Sequence, residues 1–199
     1  IDTYLVGWAR RSESVSSTQD VSGWAGNMIA QKVVSDEKGE IYLTPIDYSK
    51  LFNDRRELAT NSTAIKIDSG SRISYVDAFN CYERFVVEGD LSFDGNGEFG
   101  FAFDYNGAET KYKTIYINPQ KGVLGLAFNK GKTIITEIPL ALSMKREHSF
   151  KYIQEGSIGV FYIDGKASLT VRLYGCTGKN VKLFASNNSV YLSSVVIYT

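Results

Sequence analysis

Histidine, cysteine, tryptophan, methionine and proline are all scarce in this chain of 199 residues. The one histidine, His148, excludes a metal site made of several histidines, and no nucleophile-elbow motif accompanies it to complete a Ser-His-Asp triad. We expect His148 at the surface or at a strand edge. The two cysteines, Cys81 and Cys176, are too few for a zinc site and too far apart for a CxxC motif. They form one disulfide if the protein is exported, or two buried free thiols.

An excess of charge of one sign is also missing. Lys plus Arg and Asp plus Glu each number 22, so the formal net charge is zero. A nucleic-acid-binding domain concentrates basic residues to release counterions from phosphates, and an anionic membrane attracts the same residues. No apolar run reaches the roughly 18 residues of a membrane-spanning helix. Neither nucleic acid nor a membrane is therefore an expected partner. No phosphate loop or dinucleotide motif occurs, so no cofactor is expected.

Helical periodicity is almost absent. The best candidate is the segment 46–58, whose apolar residues are only loosely periodic, and it is at most a short helix or a turn-rich connector. Elsewhere, short apolar runs are separated by Gly, Asn and Asp, as in the turn Asp164-Gly165-Lys166. In the run from Glu98 to Asn106, aromatic residues alternate strictly with other residues, which is the period of a β-strand.

Many short strands spaced 8–12 residues apart predict an all-β fold, namely an antiparallel β-sandwich of the jelly-roll or concanavalin-like type. A shift in composition divides the chain into strands at 1–45, a connector at 46–60 and the sandwich at 61–199. Eight residues at alternating positions are predicted to lie mostly inside: Phe99, Phe101, Phe103, Val160, Leu169, Val171, Leu173 and Leu183.

The first segment carries a recognisable pattern. It contains Gly7-Trp8, then Gly23-Trp24-Ala25-Gly26, then the hairpin Lys38-Gly39-Glu40-Ile41, and finally Pro45. In order and spacing this resembles the last blade of the five-bladed propeller in glycoside hydrolase family 32, which comprises invertases, inulinases and levanases. Where that family usually has Pro-Arg after the Gly-Trp strand, this chain has Ala30-Gln31-Lys32. The resemblance implies that residues 1–45 form a partial sheet packed against the sandwich.

The other end resembles the terminal sandwich of the same family. The matching residues are Ser157, Phe161, Gly165, Leu169, Thr170, Arg172, Tyr174, Leu183-Phe184 and the closing strand 190–198. One departure is Gly159, where the family has a Glu that would orient Arg172 or accept a hydroxyl. The two departures indicate a divergent branch.

The catalytic motifs of that family are absent. Its retaining mechanism needs two carboxyl groups about 5–5.5 Å apart, and the family supplies its carboxylates through Asn-Asp-Pro, Arg-Asp-Pro and Glu-Cys motifs from earlier blades. Asn53-Asp54-Arg55 lacks the Pro. Glu88 with Asp90, and Glu98 with Asp104, have the spacing of one strand face, which is typical of a solvated sheet surface. We expect no catalytic residue in this chain, and whether the longer protein is an enzyme stays open.

Three functions compete. In the first, the chain is a non-catalytic module that buttresses the propeller of a fructan- or sucrose-acting hydrolase, which implies a secreted, periplasmic or cell-surface protein. In the second, it is a fructan-binding module, since sugars are held by aromatic rings and planar hydrogen-bonding side chains. In the third, it is a structural or adhesive sandwich, which the propeller-like segments disfavour.

A sugar site would use a small set of residues. The candidate contacts are Arg172, Tyr174, Tyr162, Asp164, Trp8 and Trp24. The alternatives are that Arg172 pairs with a carboxylate, that Tyr174 packs, and that the two tryptophans pack between blade and sandwich. The turn from Asp94 to Glu98 has the oxygen spacing of a calcium loop, but a hairpin turn is favoured and no metal site is expected.

Overall fold

The computed structural model describes residues 2–9, 27–47, 51–104, 112–128, 133–173 and 176–199. Within these ranges sixteen strands form three antiparallel sheets and no α-helix occurs, so the predicted all-β class is confirmed. The smallest sheet contains β1 (Thr3–Ala9), β2 (Asn27–Ser35) and β3 (Ile41–Thr44), in that order.

The other two sheets pack face to face as the predicted sandwich. The six-stranded sheet runs, in spatial order, through β11 (Thr133–Pro139), β10 (Val123–Phe128), β9 (Tyr112–Asn118), β8 (Phe99–Asp104), β15 (Asn180–Ala185) and β6 (Ser74–Asn80). The seven-stranded sheet runs through β14 (Ala167–Arg172), β13 (Ile158–Ile163), β12 (His148–Glu155), β7 (Arg84–Phe93), β16 (Asn188–Tyr198) and β4 (Arg55–Glu57), with β5 (Ile65–Ser69) also paired to β16.

The turns follow from residues that accept a positive φ. The β13–β14 hairpin turns at Asp164 and Gly165, with φ of 52° and 60°. Two successive left-handed residues match the twist of the flanking strands, and Asp and Gly adopt that conformation at low cost. The turn predicted from Asp164-Gly165-Lys166 is therefore present.

Aromatic rings fill the space between the two large sheets. All eight residues predicted inside are at most 7% exposed. Phe101 on β8 lies within 6 Å, centroid to centroid, of rings from both sheets, those of Phe79, Phe150 and Phe161. Large buried rings in tilted contact contribute both apolar area and favourable edge geometry. The predicted face is confirmed for seven of the eight residues, and Val160 is the exception because its neighbours Phe161 and Ile163 face the core.

The predicted connector contains a strand. In the described part of residues 46–58, Arg55–Glu57 pair antiparallel with the end of β16, and the backbone NH of Leu58 donates to the carbonyl of Val195. The alternative of a short helix is thus not found there, because the loose apolar spacing offers no helical stripe to bury. The division at residues 45 and 60 stays a prediction.

His148 is buried, so the expected position at the surface is wrong. It is 3% exposed at the start of β12, and its ring stacks near Phe93 at 6.1 Å. Its Nδ1 lies 2.7 Å from Asp164 Oδ2 and its Nε2 lies 2.9 Å from the carbonyl oxygen of Ser143. The imidazole thereby joins β12 to the loop before it and to the β13–β14 turn.

The cysteines are two buried free thiols, which is one of the two alternatives given by the sequence. Cys81 lies beside the side chain of Gln154, which also accepts a hydrogen bond from the hydroxyl of Tyr152 at 2.8 Å. Burial raises the pKa of the Cys81 thiol to about 11, and the hydrogen bond with Gln154 partly opposes this. The thiol is therefore protonated in the folded protein at neutral pH.

Gly159, the residue that departs from the family pattern, leaves room for a tyrosine. A Cβ at this position would overlap the hydroxyl and ring of Tyr152, which is 1% exposed in the core. Gly159 pairs with Val171, whose side chain belongs to the core, while Arg172 is the next residue along the strand. A Glu at 159 would point into the core, on the opposite face from Arg172, so in this chain it would not orient that guanidinium.

We predict that Gly159→Ala destabilises the protein, because the added methyl group overpacks a core that is already filled by Tyr152. The expected loss is about 1–3 kcal/mol of unfolding free energy, measured by urea denaturation. Gly70→Ala is the matched control, since nothing lies within 4 Å of a Cβ there and its φ is not in the positive range that disfavours side chains. Equal stability of the two variants would contradict the packing of Tyr152 against Gly159.

We further predict that the unfolding free energy falls as the pH rises from about 9 to about 11. The folded thiol of Cys81 keeps its proton up to a pKa of about 11, whereas the ordinary value is 9.0, so the unfolded state ionises first and is favoured in that window. The contribution is about 2 kcal/mol. Cys81→Ala should show a correspondingly shallower decline, and an identical decline in both proteins would refute this assignment.

Candidate functional site

The outer face of the seven-stranded sheet is partly covered by the small sheet and partly open. Along β13, Phe161 and Ile163 point into the core, so Ile158, Val160 and Tyr162 point outward. These outward residues are nevertheless only 6%, 7% and 3% exposed. Val160 was predicted inside and is buried, but on the outer face and not in the sandwich core.

The small sheet covers these outward-facing side chains of β13. Gln31 on β2 is 6% exposed, and its side-chain amide donates to the hydroxyl of Tyr162 at 3.2 Å and to Ser168 Oγ at 3.5 Å. Met28, Ile29 and Ala30 line one cavity together with Ile158 and Val160. Gln31, which lies where the family pattern usually has Pro-Arg, therefore contacts the sandwich through its side chain.

Two further contacts join the small sheet and its following segment to the sandwich. Lys166 Nζ, in the β13–β14 turn, lies 5.4 Å from the centroid of the Tyr42 ring on β3. After β3, Ile46 and Phe52 line a small cavity with Val86 on β7 and Ile153 on β12. Val86 points outward yet is 5% exposed for this reason.

A groove of about 450 Å³ remains open beside that segment. Its floor is a row of side chains from neighbouring strands. Tyr162 on β13 lies opposite Lys151 on β12, Lys151 lies opposite Glu88 on β7, and Glu88 lies opposite Val196 on β16. In the next row Asp90 lies opposite Ser149, and Pro45 and Arg55 line the groove as well.

Charges of both signs line this groove. Lys151 Nζ lies 2.7 Å from Glu88 Oε2, and the hydroxyl of Tyr198 donates to Glu88 Oε1 at 3.1 Å. Hydrogen bonds to Tyr198 and to Glu57 raise the pKa of the Arg55 guanidinium, which therefore stays charged. Asp90 makes no side-chain hydrogen bond or ion pair with any described residue. Its carboxylate is the acceptor left available in the groove.

A β-bulge shapes one wall. The pairing of β16 with β7 shifts between Ser193 and Val196, and Ser194 has a φ of 51°. A Cβ at Gly89 on β7 would be tightly packed at this point, because it would lie 3.0 Å from both the carbonyl oxygen of Ser193 and Val195 Cα. Bulges and non-glycine residues with positive φ occur frequently beside binding sites, where they redirect side chains.

The predicted sugar contacts are not brought together. Arg172 lies opposite Ile158 at one end of the β13–β14 hairpin and donates to Ser157 Oγ at 2.9 Å. Tyr162 lies four residues further along β13, which is about 13 Å of strand, and its ring is covered by β2. Asp164 lies beyond it, where its carboxylate contacts His148 and accepts from the backbone NH of Ser149 at 3.0 Å.

The remaining predicted contacts lie outside what the structure describes. Tyr174 and Trp24 are outside the described residues. Trp8 occupies the β1 position opposite Met28, and its side chain is not among those described. A role of any of these six residues in sugar binding, and the packing of both tryptophans, stay predictions.

The groove residues were partly visible in the sequence. The spacing of Glu88 and Asp90 places both on one strand face, as predicted, but the solvated surface expected there is instead the floor of a groove. Arg55, Lys151 and Tyr198 carried no signal, because they meet only when β4, β12 and β16 assemble into one sheet.

No metal-binding group is apparent in the described ranges, where no cluster of three or more His, Cys, Asp or Glu side chains could hold an ion. At the turn from Asp94 to Glu98, Asp94 lies 3.4 Å from Lys145 Nζ, and Asn188 Nδ2 donates to the carbonyls of Gly95 and Gly97. These contacts hold a connection between the two large sheets, because β7 lies in the seven-stranded sheet and β8 in the six-stranded one. The expected hairpin turn is therefore wrong. In the same part of the chain, no helix has the length and hydrophobicity needed to cross a membrane.

Similarity to known proteins is found in structure and not in sequence. No protein-family model and no curated protein matches the chain. Among solved structures, the carbohydrate binding module CBM66 from Bacillus subtilis is 12% identical with a TM-score of 0.57, and the match covers 74% of this chain and 97% of that one.

Two enzymes of sucrose and fructan metabolism also match. Sucrose-6-phosphate hydrolase from Lactobacillus gasseri is 13% identical with a TM-score of 0.62, and the match covers 100% of this chain and 38% of the enzyme. Fructan 1-exohydrolase IIa from Cichorium intybus is 13% identical with a TM-score of 0.65, and the match covers 96% of this chain and 45% of the enzyme. The chain therefore spans less than half of these enzymes, and it shares its fold with that part of them and with the binding module.

Proposed function

We propose that this chain is the non-catalytic terminal module of a fructan- or sucrose-acting glycoside hydrolase of the family 32 type, in which it buttresses the propeller. The observation that carries the proposal is the burial of Val160 and Tyr162 beneath β2, with Gln31 bonded to the Tyr162 hydroxyl. A sheet with an apolar face buries that face against another element. In the proposed arrangement, the small sheet links the sandwich to the propeller.

Exposed apolar side chains of β1 and β2 support the same proposal. Three successive residues of β1, namely Tyr4, Leu5 and Val6, are 49%, 53% and 54% exposed, and Met28 is 64% exposed. Since alternate residues of a strand point to opposite faces, apolar side chains are exposed on both sides of β1. In a propeller, the remaining strand of the blade and the preceding blade would cover them.

A second function, carbohydrate binding, is favoured by one comparison. The match to the carbohydrate binding module covers nearly all of that protein, so the sandwich alone is a complete fold of that type. A fructan-type carbohydrate is then the ligand, and export from the cytoplasm would follow because polymeric fructans do not cross membranes. No observation specifically favours a structural or adhesive sandwich.

The complete reading frame around this segment tests the first function. We expect upstream coding sequence for four further blades that carry the Asn-Asp-Pro, Arg-Asp-Pro and Glu-Cys motifs. In that longer protein, Val160→Asp should shorten the half-life of activity on heating while leaving kcat/KM at low temperature nearly unchanged. A reading frame without propeller blades would contradict the proposal.

We predict that the purified 199-residue chain does not hydrolyse sucrose, inulin or levan, because it lacks all three carboxylate motifs. Release of reducing sugar is the measurement. Turnover that disappears on replacing one carboxylate within the chain, Asp54 or Asp90 for example, would show that catalytic residues are present after all.

We also predict that Gln31 and Tyr162 are energetically coupled. Gln31→Ala and Tyr162→Phe each remove one partner of the buried hydrogen bond, and the double variant should lose less stability than the sum of the two. The coupling is expected at about 0.5–1.5 kcal/mol. Gln31→Ala combined with Tyr191→Phe, a tyrosine exposed at 41% on β16, should be additive. Additivity in both pairs would show that the small sheet does not dock as described.

A further inference from the structure

The geometry points to a sugar site, away from Arg172, in the groove on the outer face of β7, β12 and β16. Asp90, Ser149, Lys151, Glu88 and Arg55 would hold a neutral polyhydroxylated ligand there, namely a fructan-type oligosaccharide. This inference rests on the proposed function for the class of sugar. The site itself rests on the side chains that the sheet places together.

The size of the groove fits a small ligand. At about 450 Å³ it lies within the range of pockets that enclose small molecules, roughly 300–1,000 Å³. It is bounded by the segment after β3 at Pro45 and by β4 at Arg55. Its floor is a sheet surface held in register by three neighbouring strands, so the polar groups are fixed before a ligand arrives, and binding then costs less ordering.

The balance of charge selects the class of ligand. Two bases, Arg55 and Lys151, and two acids, Glu88 and Asp90, line the groove. An anionic ligand would meet two carboxylates, and a cationic ligand would meet two basic groups. A neutral ligand with many hydroxyl groups can donate hydrogen bonds to the carboxylates and accept hydrogen bonds from the basic side chains. Such charge-assisted hydrogen bonds are about twice as strong as neutral ones.

Asp90 is the residue expected to anchor the sugar. The Glu88 carboxylate is already paired with Lys151 and accepts a hydrogen bond from Tyr198. The Asp90 carboxylate, by contrast, has no hydrogen-bond donor among the described residues. It lies opposite Ser149, a residue with a free-rotating hydroxyl that can donate or accept. The two oxygens of one carboxylate can accept from two adjacent hydroxyl groups, which is the arrangement that distinguishes a sugar diol from water.

The experiment is a titration of the isotopically labelled 199-residue chain with levan and inulin oligosaccharides, followed by two-dimensional NMR. We expect saturable shifts of the backbone amides at Glu88, Asp90, Ser149 and Lys151 with a millimolar dissociation constant. Asp90→Asn should weaken binding at least tenfold. Asp77→Asn, which changes a carboxylate on β6 in the other sheet, should leave affinity within twofold, and so should Arg172→Ala.

Two outcomes would overturn this site. One is the absence of saturable shifts in the groove with every oligosaccharide. The other is binding that is lost in Arg172→Ala and retained in Asp90→Asn, which would assign the sugar to the other end of the β13–β14 hairpin. Neither outcome changes the expected energetic coupling of Gln31 with Tyr162. A negative result for the sugar site can therefore be distinguished from a negative result for the buttress.

Discussion

Burial of both faces of β13 is the constraint on which the rest of the structure depends. Phe161 and Ile163 face the sandwich core, and Val160 and Tyr162 face the small sheet. A strand that is apolar on both faces cannot lie at a solvated surface, since its exposed row would lose roughly 25 cal/mol for each Å² of apolar area left in water. The small sheet covers the outward row of this strand, with Gln31 hydrogen-bonded to Tyr162.

Much of the fold could be predicted because it depends on local patterns. Strict alternation in β8 and the Asp-Gly turn after β13 each give a local signal. The break between β6 and β7 could not be predicted, because Cys81, Tyr82 and Glu83 between the two strands include no Gly or Pro. That break is made by tertiary contacts, in which the Cys81 backbone pairs with the carbonyl of Lys179 and the NH of Gly178.

The candidate site was harder to predict, for a physical reason. Arg172, Tyr162 and Asp164 are near in sequence, but an extended hairpin separates them by about 3.3 Å per residue. The groove residues come from five strands, spread along the chain from β4 to β16, and only the order of strands in the sheet makes them neighbours. Burial of His148 was likewise hidden, since its partners Asp164 and Ser143 are contacts of the folded state.

The most direct test of the docked arrangement is a nuclear Overhauser measurement in the labelled chain. The account predicts cross-peaks between the side-chain amide protons of Gln31 and the ring protons of Tyr162, because the two polar atoms lie 3.2 Å apart. Cross-peaks between the rings of Phe101 and Phe161 report the sandwich core at the same time. Core cross-peaks present without those of Gln31 and Tyr162 would contradict the docking of the small sheet.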